Sequence, residues 1–417
     1  MKSPSRERRI GRRPFLGAAI GAAGTLASLR HAGGAFVAGS DRIRIGLVGC
    51  GGRGTGAALQ ATTADRGTVV TSMGDLFADQ LQSAATLLAA DGRIDCPSER
   101  RFCGPDAWLR VIYSDIDALI LAAPPWLRPD HVRAAVRAGR HVYCEKPAAV
   151  DAAGVAHVLA ACSEARQRGL SFVSGLCLRR HEPTAETVAR IRAGGVGRPL
   201  RAAVHARLGL PWRRPAQPGW TSLEADVRNW ISSDSLSGGH FVEHHIHAID
   251  RAIWALGDDW PSAATPLRGG AGFTGTAVRF LYDDGRFIDA SIDRREGGPD
   301  WIEERVNGTA GLADLRRHTV NGWRHEGSSP NAHQACASAF IHSVRTGAAA
   351  DDGDTLCRST LAAIMGRTAS VTGKRVEWRD LEAAAGITGR YDRYNCAERV
   401  RQATIPPIPP AGCAAPA

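Results

Sequence analysis

The sequence predicts an α/β chain with two domains: a doubly wound parallel sheet comes first, and an α+β domain with an open, mainly antiparallel sheet follows. Three observations predict this. At 417 residues the chain is longer than one hydrophobic core usually organises. Apolar runs alternate with helical patterns up to residue 175, which is typical of parallel sheets. Beyond it, short runs with turn signals indicate antiparallel strands.

The first predicted strand, residues 42–48, leads directly into a glycine-rich loop. A helical pattern follows at 55–64. A G-x-G-x-x-G match alone is a weak signal in a chain with 47 glycines, but the order strand, loop, helix makes it specific. Such glycines let backbone N–H groups approach a pyrophosphate at a helix N-terminus, so we predict a Rossmann domain. The loop consists of Gly49, Cys50, Gly51, Gly52, Arg53 and Gly54.

The second strand, residues 68–73, is followed by Gly74 and Asp75. This is about twenty residues beyond the loop, where a carboxylate accepts hydrogen bonds from an adenosine ribose and repels a 2′-phosphate. The sequence therefore predicts NAD rather than NADP as the cofactor. The alternative is a surface aspartate that caps the next helix.

A lysine follows a later strand of the same domain. A strand at 117–122 is ended by Pro124 and Pro125, a helix at 129–138 follows, and a strand at 141–144 leads into the tripeptide Glu-Lys-Pro. We predict that this places Lys146 at the carboxyl edge of the sheet, where such sheets bind ligands. A helix at 152–168 and a strand at 170–174 complete the domain, which we assign to residues 41–175. Its further cofactor contacts are predicted at Pro124, Glu145 and Lys146.

Lys146 is unusual for this chain, since only three of the 52 basic residues are lysines. An ammonium is a compact donor with an adjustable pKa, whereas a guanidinium is a planar fork that stays charged. A site that contacts one reacting hydroxyl favours the ammonium. The alternative is chance, and Lys374 is an example of it.

The second domain is assigned to residues 176–382. Predicted strands lie at 200–206, 277–282, 287–292 and 301–306, with hairpin signals at 283–285 and 297–298. Helical patterns return at 331–372. Residues 383–417 are assigned to a C-terminal tail, in which the proline-rich stretch 405–410 is predicted to be extended, either as a loose end or as an arm.

The densest polar cluster lies at residues 238–254, which read GGHFVEHHIHAIDRAIW. Apolar residues recur here at helical spacing, so we predict one helix that begins at the glycine pair. Glu243, His247 and Asp250 would then share one face. A carboxylate beside an imidazole orients it and raises its basicity, which suits a general base. His244 and His245 are expected to be exposed or to cap the helix.

Together, the glycine loop, the Glu-Lys-Pro tripeptide and the glycine pair with its acid, histidine, aspartate and tryptophan resemble the Gfo/Idh/MocA family, named for glucose–fructose oxidoreductase, inositol dehydrogenase and rhizopine catabolism. The resemblance runs from about residue 42 to residue 381. It implies NAD(P)-dependent oxidation of sugars and cyclitols by a Rossmann domain joined to an open-sheet domain. Carried over by position, the catalytic lysine is Lys146, the helix acid Glu243 and the histidine His247. Many members have aspartate at the acid position, so Glu243 departs mildly from the pattern.

The exported branch of that family is the most similar, through Arg-Arg-His after the sixth strand and Arg-Asn-Trp before the glycine pair. The resemblance implies substrate contacts at these positions, and a structural role is the alternative. The candidate substrate residues are Arg179, Arg180, His181, Asn229, Trp230 and Asp250.

With a sugar between the domains, His247 would take the hydroxyl proton while hydride leaves the same carbon for the nicotinamide. Lys146 would donate a hydrogen bond to the oxygen. The main alternative is an NAD-dependent glycosidase that works by transient sugar oxidation, like glycoside hydrolase family 109. Metal-dependent hydrolysis is another, but zinc spacings are absent from the histidine cluster, so no metal site is predicted. A non-catalytic sensor is the fourth, and the retained lysine and histidine argue against it.

Residues 1–38 are predicted to be a twin-arginine export signal. The pair Arg12-Arg13 precedes a weakly apolar stretch at 15–29, shorter than the ~20 residues of a spanning helix, and small residues follow at 32–40. The alternative is a basic disordered leader. We expect the twin-arginine machinery to deliver the folded protein to the periplasm. Since no free NAD pool is expected there, the nucleotide should be tightly held.

The charge and cysteine patterns limit the classes of partner that we expect this chain to bind. The chain carries +10, but residues 1–35 account for +6, and no basic run interleaved with aromatics occurs in the rest, so nucleic-acid binding is not expected. Ten cysteines occur without a C-x-x-C, and Cys96 and Cys103 are the pair that shares a polar loop. The expected partners are a sugar or glycoside and, through the open sheet, further copies of the chain in a homo-oligomer.

Overall fold

The computed structural model describes residues 41–387, apart from 269–273 and 298. The predicted export signal and residues 388–417 of the predicted tail lie outside this part. Within the described ranges, no helix combines the length and the apolar character that crossing a bilayer requires.

The first domain is built on a six-stranded sheet in which every neighbouring pair is parallel. Its strands are β1 (Ile43–Val48), β2 (Thr68–Asp75), β3 (Arg101–Cys103), β4 (Ala118–Leu121), β5 (His141–Cys144) and β6 (Phe172–Ser174). Their order is β3-β2-β1-β4-β5-β6, so the winding reverses between β1 and β4. That reversal opens a crevice at the carboxyl ends of the strands. The central strands are apolar throughout because both faces are covered: all four residues of β4 and of β5 are buried.

Helices cover both faces of this sheet. They are α1 (Gly52–Ala64), α2 (Ala78–Ala90), α3 (Ala107–Ile112), α4 (Arg128–Arg137) and α5 (Ala152–Gln167), with a 3-10 turn at Ser98–Arg100. Buried residues of α1 and α2 share one core with β1 and β2, and those of α3, α4 and α5 pack in another. The predicted doubly wound Rossmann domain is confirmed.

The second domain contains a nine-stranded sheet. Its strands are β7 (Pro199–Gly209), β8 (Ala263–Pro266), β9 (Thr276–Leu281), β10 (Phe287–Arg295), β11 (Trp301–Gly308), β12 (Leu312–Asp314), β13 (Thr319–Val320), β14 (Trp323–Arg324) and β15 (Val376–Glu377). The order is β14-β13-β12-β11-β7-β10-β9-β8-β15, and among the described pairs β7 with β10 is the parallel one. The prediction of a mainly antiparallel sheet is confirmed.

One of the two predicted hairpins forms. β9 and β10 pair antiparallel across residues 283–285. The hairpin expected at 297–298 is wrong, because β10 and β11 both pair with β7 and lie on opposite sides of it.

The remaining helices are α6 (Glu182–Arg192), α7 (Ser222–Arg228), α8 (Asp234–Ser237), α9 (Gly239–Glu243), α10 (Ile246–Ala255), α11 (Ala332–Thr346), α12 (Gly353–Thr372) and α13 (Trp378–Ile387), with 3-10 turns at Cys177–Arg180 and Trp230–Ser232. α11 packs back onto the first domain. Its Phe340 meets the ring of Tyr143 at 5.7 Å, and Phe172 N–H then donates to Ala350 O at 2.7 Å. The chain therefore returns to the Rossmann core after completing most of the second sheet.

Candidate active site

A cavity of about 740 Å³ lies between the carboxyl edge of the first sheet and the second domain. Its walls include the glycine loop, Lys146, Glu243 and His247. The residues predicted to bind a nucleotide and those predicted to do chemistry therefore face one space.

The glycine loop has the shape of a phosphate cradle. Gly49 adopts φ +90°, and a Cβ on Gly54 would lie 1.8 Å from Gly49 O, so these glycines set the tight turn. A Cβ on Gly52, by contrast, would meet no atom within 4 Å. α1 begins after Gly51 without a side-chain cap. Its first N–H groups and the open space before them fit the pyrophosphate of a dinucleotide.

Asp75 ties the loop to the end of β2. Its carboxylate accepts hydrogen bonds from the N–H groups of Cys50 at 2.7 Å and Phe77 at 2.9 Å, and burial raises its pKa. The same side chain lines the cavity. The Cys50 side chain is buried away from the cavity and donates to Gly74 O. Asp75 thus supports the turn and also faces the nucleotide space.

The loops after β4 and β5 are joined by a buried arginine. Arg128 donates from Nε to Ala123 O at 3.0 Å and from Nη1 to Pro147 O. Pro147 follows Lys146 through a cis peptide bond. Beside it, Glu145 is 3% exposed and lies 3.2 Å from Arg53 Nε of the glycine loop. Pro124, Glu145 and Arg53, which were predicted to contact the cofactor, all line the cavity.

Lys146 reaches across the cavity to the second domain. Its ammonium donates to the Glu243 backbone oxygen at 2.5 Å and to Oε1 of the same residue at 2.7 Å. The other carboxylate oxygen of Glu243 lies 2.7 Å from His244 Nδ1. Burial acts to raise the pKa of Glu243, but Lys146 and His244 together hold it well below the usual range. Because an ammonium has three N–H donors, Lys146 keeps one for a ligand.

The single helix predicted at 238–254 is wrong, because the chain breaks between α9 and α10. In a continuous helix the Glu243 oxygen would accept from the N–H of His247. Here the Lys146 ammonium donates a hydrogen bond to that oxygen and caps the C-terminal end of α9, as cations do at helix C-termini. His245, expected to be exposed or to cap, is buried and donates from Nε2 to Val204 O at 2.9 Å.

His247 lies at the start of α10 and lines the cavity. Within the described residues its Nδ1 has no hydrogen-bond partner, so the expected orientation by Glu243 is not observed. Burial, Lys146 and Arg251 hold its pKa well below 6.5. A neutral imidazole can accept the proton of a hydroxyl, and a nearby ammonium can donate a hydrogen bond to the same oxygen.

Of the six predicted substrate residues, Trp230 lines the cavity and five do not. Arg179 binds Asp250 at 2.9 Å and Asp258 at 2.8 Å, and its guanidinium lies 5.2 Å from the Trp254 ring. These ion pairs join α10 and the residues after it to the turn that follows β6, which is a structural role. The others are held similarly: Arg180 binds Asp352, and His181 contacts Thr184 and Ser329. Asn229 holds the backbone of Arg214.

Several residues that line the cavity were not predicted from the sequence. Trp212 and Arg214 come from the segment between β7 and α7, and His333 comes from α11. Each is brought in by long-range packing, although three prolines and two tryptophans at 211–220 mark the first segment as a defined loop. Cys96 and Cys103 are not bonded to each other: the Cys96 thiol donates to the backbone oxygen of Arg100 and the Cys103 thiol to that of Leu76. Within the described ranges, no group of three or more His, Cys, Asp or Glu could hold a metal ion.

This chain is similar to known proteins in sequence and in fold. The chain is 32% identical over 181 residues to inositol 2-dehydrogenase of Acidothermus cellulolyticus, covering 43% of this chain and 48% of that protein. It is 28% identical over 216 residues to 2,7-anhydro-N-acetylneuraminate hydratase of Escherichia coli, covering 50% and 53%. The chain thus spans about half the length of these curated relatives.

The fold is shared over a greater length. The structure of scyllo-inositol dehydrogenase from Lactobacillus casei with bound NAD(H) and scyllo-inositol matches with a TM-score of 0.62 at 19% identity, covering 81% of this chain and 99% of that one. Residues 43–172 match the model of the Gfo/Idh/MocA oxidoreductase family, described as an NAD-binding Rossmann fold. The first domain of this chain is therefore similar to the NAD-binding Rossmann domain of the Gfo/Idh/MocA oxidoreductase family.

Proposed function

We propose that this chain is an NAD-dependent oxidoreductase that oxidises a CH–OH group of a sugar, glycoside or cyclitol. The observation that carries the proposal is the shared cavity, in which Lys146 and His247 face the same space as the glycine loop. Inositol dehydrogenases among the relatives and the structural neighbours support a polyol substrate.

NAD, when bound, supplies the acceptor for the hydride that leaves the substrate carbon. His247 takes the hydroxyl proton, and its lowered pKa keeps the imidazole neutral for this role. Lys146 donates its remaining N–H to the same oxygen and stabilises the charge that develops there. Glu243 fixes the ammonium through two hydrogen bonds, so its role is to position Lys146.

NAD is proposed over NADP because of Asp75. Its carboxylate lines the cavity at the end of β2 and would repel a 2′-phosphate. Burial raises the pKa of Asp75, and the hydrogen bonds from the N–H groups of Cys50 and Phe77 oppose this rise.

The direct test is a screen of inositols, sugars and glycosides against the purified protein loaded with NAD. We expect at least one polyol to reduce the bound nucleotide, seen as nicotinamide absorbance. The control is His247→Ala, which should bind NAD and reduce none of it with the same polyol. A wild-type protein without affinity for NAD would overturn the proposal.

A second candidate is glycoside cleavage through transient oxidation at the same site. One relative is a hydratase by name and not a dehydrogenase. This supports a test for an activity other than net oxidation. Aryl glycosides separate the two activities. Release of the aglycone without net nucleotide reduction would favour cleavage, and nucleotide reduction without release would favour oxidation.

The pH dependence of oxidation should report His247. Because the pKa of His247 is lowered, its imidazole remains neutral even at pH values somewhat below 6.5. The acid limb of the kcat/KM profile should therefore lie below pH 6.5. Lys146 destabilises the imidazolium, so its removal should raise the pKa of His247. We therefore expect the acid limb in Lys146→Met to move to higher pH. A limb that stays in place or moves lower would contradict this assignment.

We also propose export to the periplasm by the twin-arginine route. The support is the order of charged, apolar and small residues in 1–40, which lie outside the described part. Replacing Arg12 and Arg13 with lysine should leave the protein in the cytoplasm. Equal periplasmic yield of both forms would refute the proposal.

A further inference from the structure

Residues 210–221, here called the strap, connect β7 to α7 and reach the first domain. The strap contains three prolines and neither a helix nor a strand. Arg214 donates from Nη2 to Gln80 Oε1 of α2 at 3.1 Å. Beside the strap, Arg228 donates to Asp79 at 3.0 Å. Two neighbouring residues of α2 are therefore bridged to the second domain.

Stacking reinforces the second bridge. The Arg228 guanidinium lies 3.8 Å from the ring centre of Phe77 and 4.5 Å from that of Trp220, which belongs to the strap. The end of β2, the start of α2 and the strap thus meet around one guanidinium. Both Phe77 and Arg228 line the cavity.

Arg214 differs from three of the other cations of the cavity. Lys146, Arg53 and Arg228 each have a carboxylate within ion-pair distance. Within the described residues, the contacts of the Arg214 guanidinium are Gln80 and the ring of Trp212, with its centre 5.7 Å away. A guanidinium that lines a cleft without a carboxylate is free to bind an anion.

The backbone of Arg214 is held from both sides. Asn229 Oδ1 accepts its N–H at 2.7 Å, and Asn229 Nδ2 donates to its carbonyl oxygen at 3.2 Å. Asn229 also donates to Ala225 O of α7 at 3.0 Å, so a helix anchors the pair. The conformation of the strap at Arg214 is therefore fixed before any ligand arrives.

Gln80 places this arginine opposite the glycine loop. Its Oε1, which Arg214 contacts, lies 3.8 Å from the position of a Cβ on Gly51. Gly51 precedes the uncapped start of α1. A pyrophosphate in that cradle would have backbone N–H groups on one side and a guanidinium within reach on the other.

We propose that Arg214 binds the pyrophosphate of the nucleotide and that the strap closes over it. The proposal rests on the proposed function, since it takes NAD as the ligand. Release of the nucleotide then requires the contacts of Arg214 with Gln80 and of Arg228 with Asp79 to open. Asn229 is a positioning residue that acts through the backbone of Arg214.

The test measures nucleotide affinity and release on the full-length protein. Arg214→Ala should weaken NAD binding by about ten- to a hundredfold, with most of the change in the dissociation rate, because a hydrogen bond to a charged group is lost. ADP-ribose should lose affinity to the same extent, and adenosine should not. Arg213→Ala is the matched control, since Arg213 is an exposed neighbour on the same strap. It should bind NAD like the wild type.

Two further variants probe the closure. Asn229→Ala should speed NAD release while leaving the guanidinium present. Asp79→Asn should also speed release, although Asp79 is a tether outside the cavity wall. Arg214→Lys should be intermediate, because the charge remains and the fork is lost.

Equal affinity of Arg214→Ala and Arg213→Ala for NAD would overturn the inference. So would a variant that raises the KM of the polyol while leaving NAD and ADP-ribose affinities unchanged, since Arg214 would then bind substrate. Both results leave the proposed function standing. Absence of NAD binding by the wild type would instead refute the proposed function.

Discussion

Replacement of Lys146 with methionine is expected to lower kcat for polyol oxidation by about 10²-fold or more. Methionine keeps much of the length and removes the donor that stabilises charge on the reacting oxygen. The protein should still bind NAD, which can be measured by titration. Turnover should be compared under saturating NAD and polyol, so that the loss appears in kcat.

The matched control is Lys374→Met, because Lys374 is exposed and has no place in the cavity. It should retain wild-type turnover. Lys146→Met leaves the buried Glu243 carboxylate without its ammonium, so a second form, Lys146→Met with Glu243→Gln, removes both charges. If either folded form turns over polyol at a near-normal rate, Lys146 is not the donor.

Replacement of Asp250 with alanine is expected to lower the free energy of unfolding by about 3–5 kcal/mol, the usual cost of breaking a buried ion pair. Asp250 is 1% exposed and accepts from Arg179 and from Ser359 at 2.7 Å. Its loss leaves the Arg179 guanidinium half-paired in the interior. Denaturant unfolding measures the effect, and the KM for polyol of the folded variant should stay unchanged.

Asp258→Ala is the control for that variant. The Asp258 side chain binds the same arginine but is 35% exposed, so its loss should cost about 1 kcal/mol or less. A large rise in KM with unchanged stability in Asp250→Ala would restore the substrate-binding role predicted from sequence.

Much of the first domain could be predicted because its signals are local. A strand, a glycine-rich turn and a helix identify the nucleotide site, and the tripeptide after β5 places Lys146 at the sheet edge. Burial on both faces makes the central strands continuous apolar runs, so their positions could be predicted from those runs in the sequence.

The rest depended on contacts between distant residues. The helix break after Glu243 requires an ammonium from 97 residues earlier in the chain, and no periodicity within 238–254 encodes it. Arg179 and Asp250 were predicted to bind substrate because a pattern of charged residues in the sequence cannot distinguish a substrate site from a buried ion pair. The strap was missed because an irregular segment carries no periodicity, and its role follows only from what it contacts.

The hydrogen bond from Lys146 to the last carbonyl of α9 makes one side chain serve both domains. Moving the domains apart would uncap that helix and leave the buried Glu243 carboxylate without its ammonium, so opening the cleft carries an electrostatic cost. The protein is therefore expected to spend most of its time closed, with the Lys146 ammonium already held at the cavity. Turnover would then need only small adjustments around the substrate, and exchange of the nucleotide would be the slow, rare event.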